Sequence, residues 1–107
     1  MSRPRFSAYR LRKWRYKVLE RDNDRCQMCN VKPGRSRLQV HHIHPKAIYP
    51  GWAYVPANGI TLCSRCHRGC VHAENSFNDR GNWKRFVPMF QAITGFDPAA
   101  PNPVATR

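Results

Sequence analysis

Cys26-Gln27-Met28-Cys29, Leu38-Gln39-Val40-His41-His42-Ile43-His44-Pro45 and Cys63-Ser64-Arg65-Cys66-His67 decide how this chain folds. Two C-x-x-C pairs, separated by 33 residues, bracket a histidine-rich stretch. Each pair closes a tight knuckle that can aim two sulfurs at one point, and four thiolates suit a tetrahedral zinc ion. Cys26, Cys29, Cys63 and Cys66 are therefore the expected structural zinc ligands. A thioredoxin-like redox motif needs one C-x-x-C on a βαβ background, which this sequence lacks. The fifth cysteine, Cys70, reads as a small buried hydrophobe, or as a stand-in for a pair member.

Outward from the knuckles, Leu38 to His42 reads as a short strand with Leu38 and Val40 on one face. Ile60 to Leu62 reads as a second strand. Residues 43–58 between them form a loop punctuated by Pro45, Pro50, Gly51, Pro56 and Asn58-Gly59, of a length that is often functional. Upstream, Leu11, Trp14 and Val18 recur at helical spacing, predicting a helix from Ser7 to Arg21 that stops before Asp22-Asn23-Asp24. Downstream, a helical stretch is expected at Cys66 to Ala73, interrupted by Gly69. A further helix is expected at Asn82 to Thr94, with Trp83, Phe86, Phe90 and Ile93 as its core face. Pro88 should kink or split that helix, and Gly95 should stop it. The expected domain plan is a basic flexible arm over 1–6, one folded domain over 7–96 and a disordered Pro/Ala-rich tail over 97–107. A chain of 107 residues buries a thin core, so metal ligation would contribute to folding directly.

The charge is lopsided, with 19 Lys and Arg against 6 Asp and Glu, a net +13. Such a surface attracts polyanions, and nucleic acid is the first among them. Residues 1–21 hold eight basic side chains and one acid, Glu20. Arg10, Arg12, Lys13, Arg15, Lys17, Lys46, Arg65 and Arg68 are the expected DNA-backbone contacts, argued as a set rather than singly. Nothing resembles a dedicated base-reading helix, so sequence specificity should be low. No stretch approaches the apolar length of a membrane span, and Met1 to Phe6 has no apolar run of a secretory signal. The expectation is a cytoplasmic protein of a bacterium or a phage-infected host, with reduced cysteines and no membrane partner.

Five histidines fall in two clusters, His41, His42 and His44 on the first strand's end and His67 and His72 after the second knuckle. Knuckles sharing one zinc would draw the two clusters together, and convergence is what metal ligands and proton carriers need. "LQVHHIHP", Asn58 within "PANGITLC", and "CSRCHRGCVH" resemble the HNH endonuclease signature in its zinc-stapled phage and bacterial form. "VLERDNDRCQMC" before it is similar to the same subfamily. The likeness covers roughly residues 12–72. It implies an α+β fold: a small, treble-clef-like ββα-metal domain with a structural four-cysteine zinc site and flanking helices.

By position, the resemblance makes His42 the general base and His41 a catalytic-metal ligand. Asn58 becomes the middle Asn that shapes the loop and helps orient the base, and His67 the final motif histidine on the metal. Many relatives carry a further histidine four residues after that one; here His72 stands five after His67, a departure that bears on its ligation. His44 is extra, a candidate phosphate contact or neighbour of the site. Adjacent strand residues point to opposite faces, so the strand must end or twist at His41 and His42 for both to serve one site. Alternatively, His42 and His44 share a parity and could divide the roles.

The implied reaction is hydrolysis of DNA phosphodiester bonds, with one strand nicked. A neutral imidazole takes the proton from water near pH 7, and one divalent ion relieves charge on the phosphate and the 3′ leaving oxygen. The resemblance implies Mg or Mn, while imidazole ligands also suit Ni, Co or Zn. Expected partners are double-stranded DNA and a phage terminase, with the protein a monomer or weak dimer. The rival reading is a non-catalytic treble-clef zinc finger. It explains the charge and cysteines but not His41, His42, Asn58 and His67 together.

Overall fold

The computed structural model describes residues 5–68 and 82–99, with backbone alone for residues 82–83. Three helices and one hairpin make up the described fold. Helix α1 spans Ala8–Arg21, strand β1 Leu38–His42, strand β2 Gly59–Cys63, the short helix α2 Ser64–Cys66 and helix α3 Asn82–Thr94. Single 3-10 turns at Arg35–Arg37, Pro50–Trp52 and Pro56–Asn58 punctuate the connections. This is the small α+β arrangement that the resemblance implies.

Helix α1 starts where Ser7 caps it, its hydroxyl accepting from the Arg10 N–H, which satisfies a helix-start donor. Trp14, Val18 and Leu19 form its buried side. It ends at Asp22, followed by Asn23 and Asp24 with φ of 59° and 54°, a left-handed backbone that Asn and Asp tolerate best among side-chain-bearing residues. The Asp22 carboxylate then does two jobs. It takes a two-point contact from Arg21 at 2.8 Å and accepts from the Thr61 N–H at 3.0 Å. Arg21 also donates to the carbonyls of Pro56 and Gly59. Together with Gln27, whose N–H donates to the Thr61 carbonyl, these groups cover the outer edge of β2 that would otherwise stay unpaired.

The hairpin is antiparallel and pairs Leu38 with Cys63, Val40 with Thr61 and His42 with Gly59. Every residue of β2 is buried, because α1 lies against its start. A Cβ on Gly59 would stand 2.6 Å from Trp14 and 2.8 Å from Val18, so only glycine admits the helix this close. The core gathers Leu19, Cys26, Leu38, Ile43, Ile60, Leu62 and Phe90 around the knuckles.

Several expectations shift. Strand β2 runs one residue further at each end than Ile60 to Leu62. The helix expected from Cys66 begins earlier, at Ser64, and passes into wider π-type turns at 67–68; the remainder of that stretch, with Cys70 and His72, lies outside the described residues. Helix α3 has the predicted bounds, but Pro88 does not split it. Phe90 is buried and Phe86 packs beside it, yet Ile93 is 43 % exposed. The inward position one turn after Phe90 goes to Thr94, whose hydroxyl donates to the Ala57 carbonyl at 2.8 Å. Gly95, at φ 78°, ends the helix as expected. No described helix is long and apolar enough to cross a membrane.

Candidate functional site

Cys26 and Cys29 turn tightly, with the Cys29 N–H directed at the Cys26 sulfur, and the hairpin carries Cys63 and Cys66 to meet them. All four sulfurs lie within 4.8 Å of one another, and those of Cys29 and Cys63 are 3.7 Å apart. Four sulfurs tetrahedrally placed at ~2.3 Å from a zinc ion stand about 3.8 Å from each other. The cluster therefore fits a metal such as zinc by both donor type and spacing. Burial opposes ionisation of the Cys26 thiol, but the N–H groups of Cys29, Cys63 and Met28 outweigh it and bring it down to about 7. The Val31 N–H favours the Cys29 thiolate, yet burial and the Cys26 and Cys63 thiols push that group up overall. Burial and the three sulfur neighbours push Cys66 up. Cys26 ionises readily while Cys29 and Cys66 resist, which is the electrostatics of a thiolate cluster that a cation completes.

Strand alternation separates the two adjacent histidines. His41 is buried and faces α3 and the end of α2: its ring is 5.3 Å from that of His67 and 5.8 Å from Phe90, centre to centre. The hairpin thus brings His41 and His67 together, and two imidazoles meet at the junction of β1 and the helical turn after Cys66. His42 faces α1, where its ring stacks on Trp14 at 3.9 Å and 10°. Its Nε2 is 2.9 Å from the Ala53 carbonyl. A carbonyl only accepts, so Nε2 of the neutral ring carries the hydrogen and Nδ1 holds the lone pair. Burial dominates the ring's protonation; the Ala53 contact opposes it, Lys46 adds to it, and the pKa drops to about 4. His42 is therefore neutral at pH 7.

Asn58 is fully buried and ties the loop shut. Its Oδ1 accepts from the His44 N–H, and its Nδ2 donates to the carbonyls of His44 and Trp52. The Trp52 carbonyl is one residue from the Ala53 carbonyl that holds His42, so Asn58 shapes the loop that orients this ring. His44 itself is built into the structure. Its Nε2 lies 2.8 Å from Gln91 Oε1, and Tyr49, Trp52 and Phe96 surround the ring.

The eight expected basic contacts divide. Arg12, Lys13, Lys17, Arg65 and Arg68 are exposed. Arg15 turns inward and donates to the carbonyls of Arg35 and Leu38. Arg10 lies over the Tyr54 ring and Lys46 over the Phe6 ring. Sequence reasoning missed the Trp14–His42 stack, the Ala53 carbonyl and Gln91. Trp14 reads as an ordinary core residue at helical spacing, and a backbone carbonyl leaves no trace in a sequence.

A knuckle-stapled hairpin leading into a helix, with histidines from the strand and from the helical turn facing each other, makes up a small ββα module. Residues 26–70 match the family described as HNH endonuclease, so the chain carries an HNH endonuclease domain over that stretch. Neither a curated protein nor a solved structure matches the chain. The match runs from the first knuckle cysteine to Cys70. It includes both C-x-x-C pairs, the hairpin and Asn58, and it supports a nuclease-family function, which implies a nucleic acid substrate.

Proposed function

We propose that this protein is a metal-dependent endonuclease that hydrolyses DNA phosphodiester bonds, nicking one strand with little sequence preference. The observation that carries the reading is the fixed tautomer of His42. With Nε2–H committed to the Ala53 carbonyl and the ring held neutral, Nδ1 is left to take a proton from water. Trp14 on one ring face and the Asn58-braced loop at Nε2 hold the ring in place. Asn58 acts through that loop as a positioning residue.

His41 and His67 would hold the catalytic ion, with His72, outside the described residues, as a further candidate ligand. Convergent imidazoles are suitable donors for Mn, Ni, Co or Zn, and the family resemblance adds Mg. A divalent ion there supplies charge relief to the phosphate and to the departing 3′ oxygen. The four-cysteine site, closed by its own ligands, serves the fold instead. Double-stranded DNA is the proposed substrate, recognised through its backbone. A monomer or weak dimer, cytoplasmic in a bacterium or phage-infected cell and working beside a phage terminase, is the setting that fits.

Conversion of supercoiled plasmid to the open-circular form tests the reading. Zinc-loaded protein should nick when supplied with Mg, Mn, Ni or Co, and stay inactive without added metal. Plasmid that is bound but left intact with every metal would favour the non-catalytic zinc finger.

A further inference from the structure

The start of α1 and the loop after β1 mount two cations on two aromatic rings. The Arg10 guanidinium carbon is 3.9 Å from the Tyr54 ring centre, and Lys46 Nζ is 5.4 Å from that of Phe6. The two rings meet edge to face at 6.4 Å and 74°. The Tyr54 hydroxyl accepts from the Ser7 N–H at 2.9 Å, and Ser7 in turn caps the helix through the Arg10 N–H. Helix cap, rings and cations therefore form one connected unit.

Among the described residues the unit has no acidic partner. The ion pairs among the described residues are Arg21–Asp22 and Arg35–Asp24, so neither Arg10 nor Lys46 is matched to a described carboxylate. The first turn of α1 carries no acid either, leaving the positive end of the helix dipole unopposed. Cations collected in this way repel one another until an anion joins them. A guanidinium seated over a ring face still has N–H groups to offer phosphate oxygens in a two-point contact. Seating each long side chain on a ring also reduces the entropy lost when it binds.

The position is equally specific. Tyr54 follows Ala53, whose carbonyl holds His42, and Trp14, stacked on His42, lies one helical turn after Arg10.

We propose that Arg10 and Lys46 form a phosphate clamp that seats the DNA backbone beside His42, with Tyr54 and Phe6 holding the two cations in place. The proposal rests on the nuclease reading for what happens at His42, but not for phosphate binding itself.

Fluorescence anisotropy on a short DNA duplex, without added catalytic metal and across a salt series, tests it. The variant Arg10→Gln/Lys46→Gln is compared with Arg12→Gln/Lys17→Gln, which removes the same charge from exposed positions of α1. Zinc content and melting temperature confirm that both fold. The clamp variant should lose roughly tenfold or more in affinity, and its slope of log affinity against log salt should shrink by about 2. The control pair should lose markedly less. Arg10→Lys, which keeps the charge without the planar fork, should weaken binding with the slope unchanged. Equal losses in the two double variants would overturn the clamp. Plasmid nicking measured in parallel separates the two ideas. A preferential binding loss with no nicking by any protein sinks the nuclease reading and leaves the clamp. Nicking with equal binding by both double variants does the reverse.

Discussion

His42 shows how a single side chain is prepared by what surrounds it. Stacking on Trp14, burial and the Ala53 carbonyl fix its plane, its charge and its tautomer. The native ring resists protonation down to about pH 4, whereas in the unfolded chain it protonates near 6.5. This contribution to stability is present in full above pH 6.5 and is lost as the pH falls toward 4. It amounts to about 3 kcal/mol at most, from the size of the shift. An NMR titration of the His42 ring protons should therefore give a midpoint near 4, and a midpoint at 6.5 would mean the ring is solvated. Asn58 offers a second test. Asn58→Ala strips three hydrogen bonds from the backbone of His44 and Trp52 and leaves those groups unsatisfied, so stability should fall by about 3 kcal/mol in urea denaturation. Residue types at this scale were legible in the sequence: the histidines and Asn58 stand out by motif. Their surroundings were not. Strand parity limited which histidines could share a face, but the side facing α1 was set by the Gly59–Trp14 contact, a tertiary event.

Elements follow from short-range chemistry more readily than their packing does. Ser7, the Asp22-Asn23-Asp24 turn and Gly95 mark helix ends in plain sequence terms, and α1 and α3 begin or end where those signals fall. Ile93 did not follow its spacing, because Thr94 found the Ala57 carbonyl and took the inward position. Pro88 did not divide α3, so the local penalty of an interior proline yields here to a helix anchored by Phe90 and Thr94. Gly59 is the most exacting contact between elements. Gly59→Ala would push the Trp14 ring aside, costing about 1–3 kcal/mol by overpacking and disturbing the ring on which His42 rests. Thermal melting should register the loss. A ring-proton shift at His42 in the same variant would show that the helix–hairpin fit reaches the candidate base.

For the molecule as a whole, a few polar fastenings carry a thin core. The four cysteines join the start of the domain, after α1, to the end of the hairpin, and Arg21 with Asp22 fastens the helix to the same strand. The doubled C-x-x-C made the first fastening legible at once. The second was hidden, since a neighbouring Arg-Asp pair in a basic chain reads as surface charge. Native protein should contain one zinc per chain, and a strong chelator should abolish its near-ultraviolet circular dichroism, because ligation there contributes folding free energy. A chain that keeps its tertiary signal after complete zinc removal would show the core to be sufficient alone. The charge of +13 acts at this scale as well, attracting polyanions, and the proposed chemistry of the hairpin histidines would act on the phosphate backbone so attracted.

The proposed role of His42 is that of base in a phosphodiester hydrolase. It is tested most directly by single-turnover nicking of supercoiled plasmid in Mn, comparing wild type with a His42→Ala variant that retains its zinc and its DNA affinity. The rate should fall by roughly 100-fold or more, with DNA binding unchanged. A His42→Ala protein that nicks as fast as the wild type would contradict it.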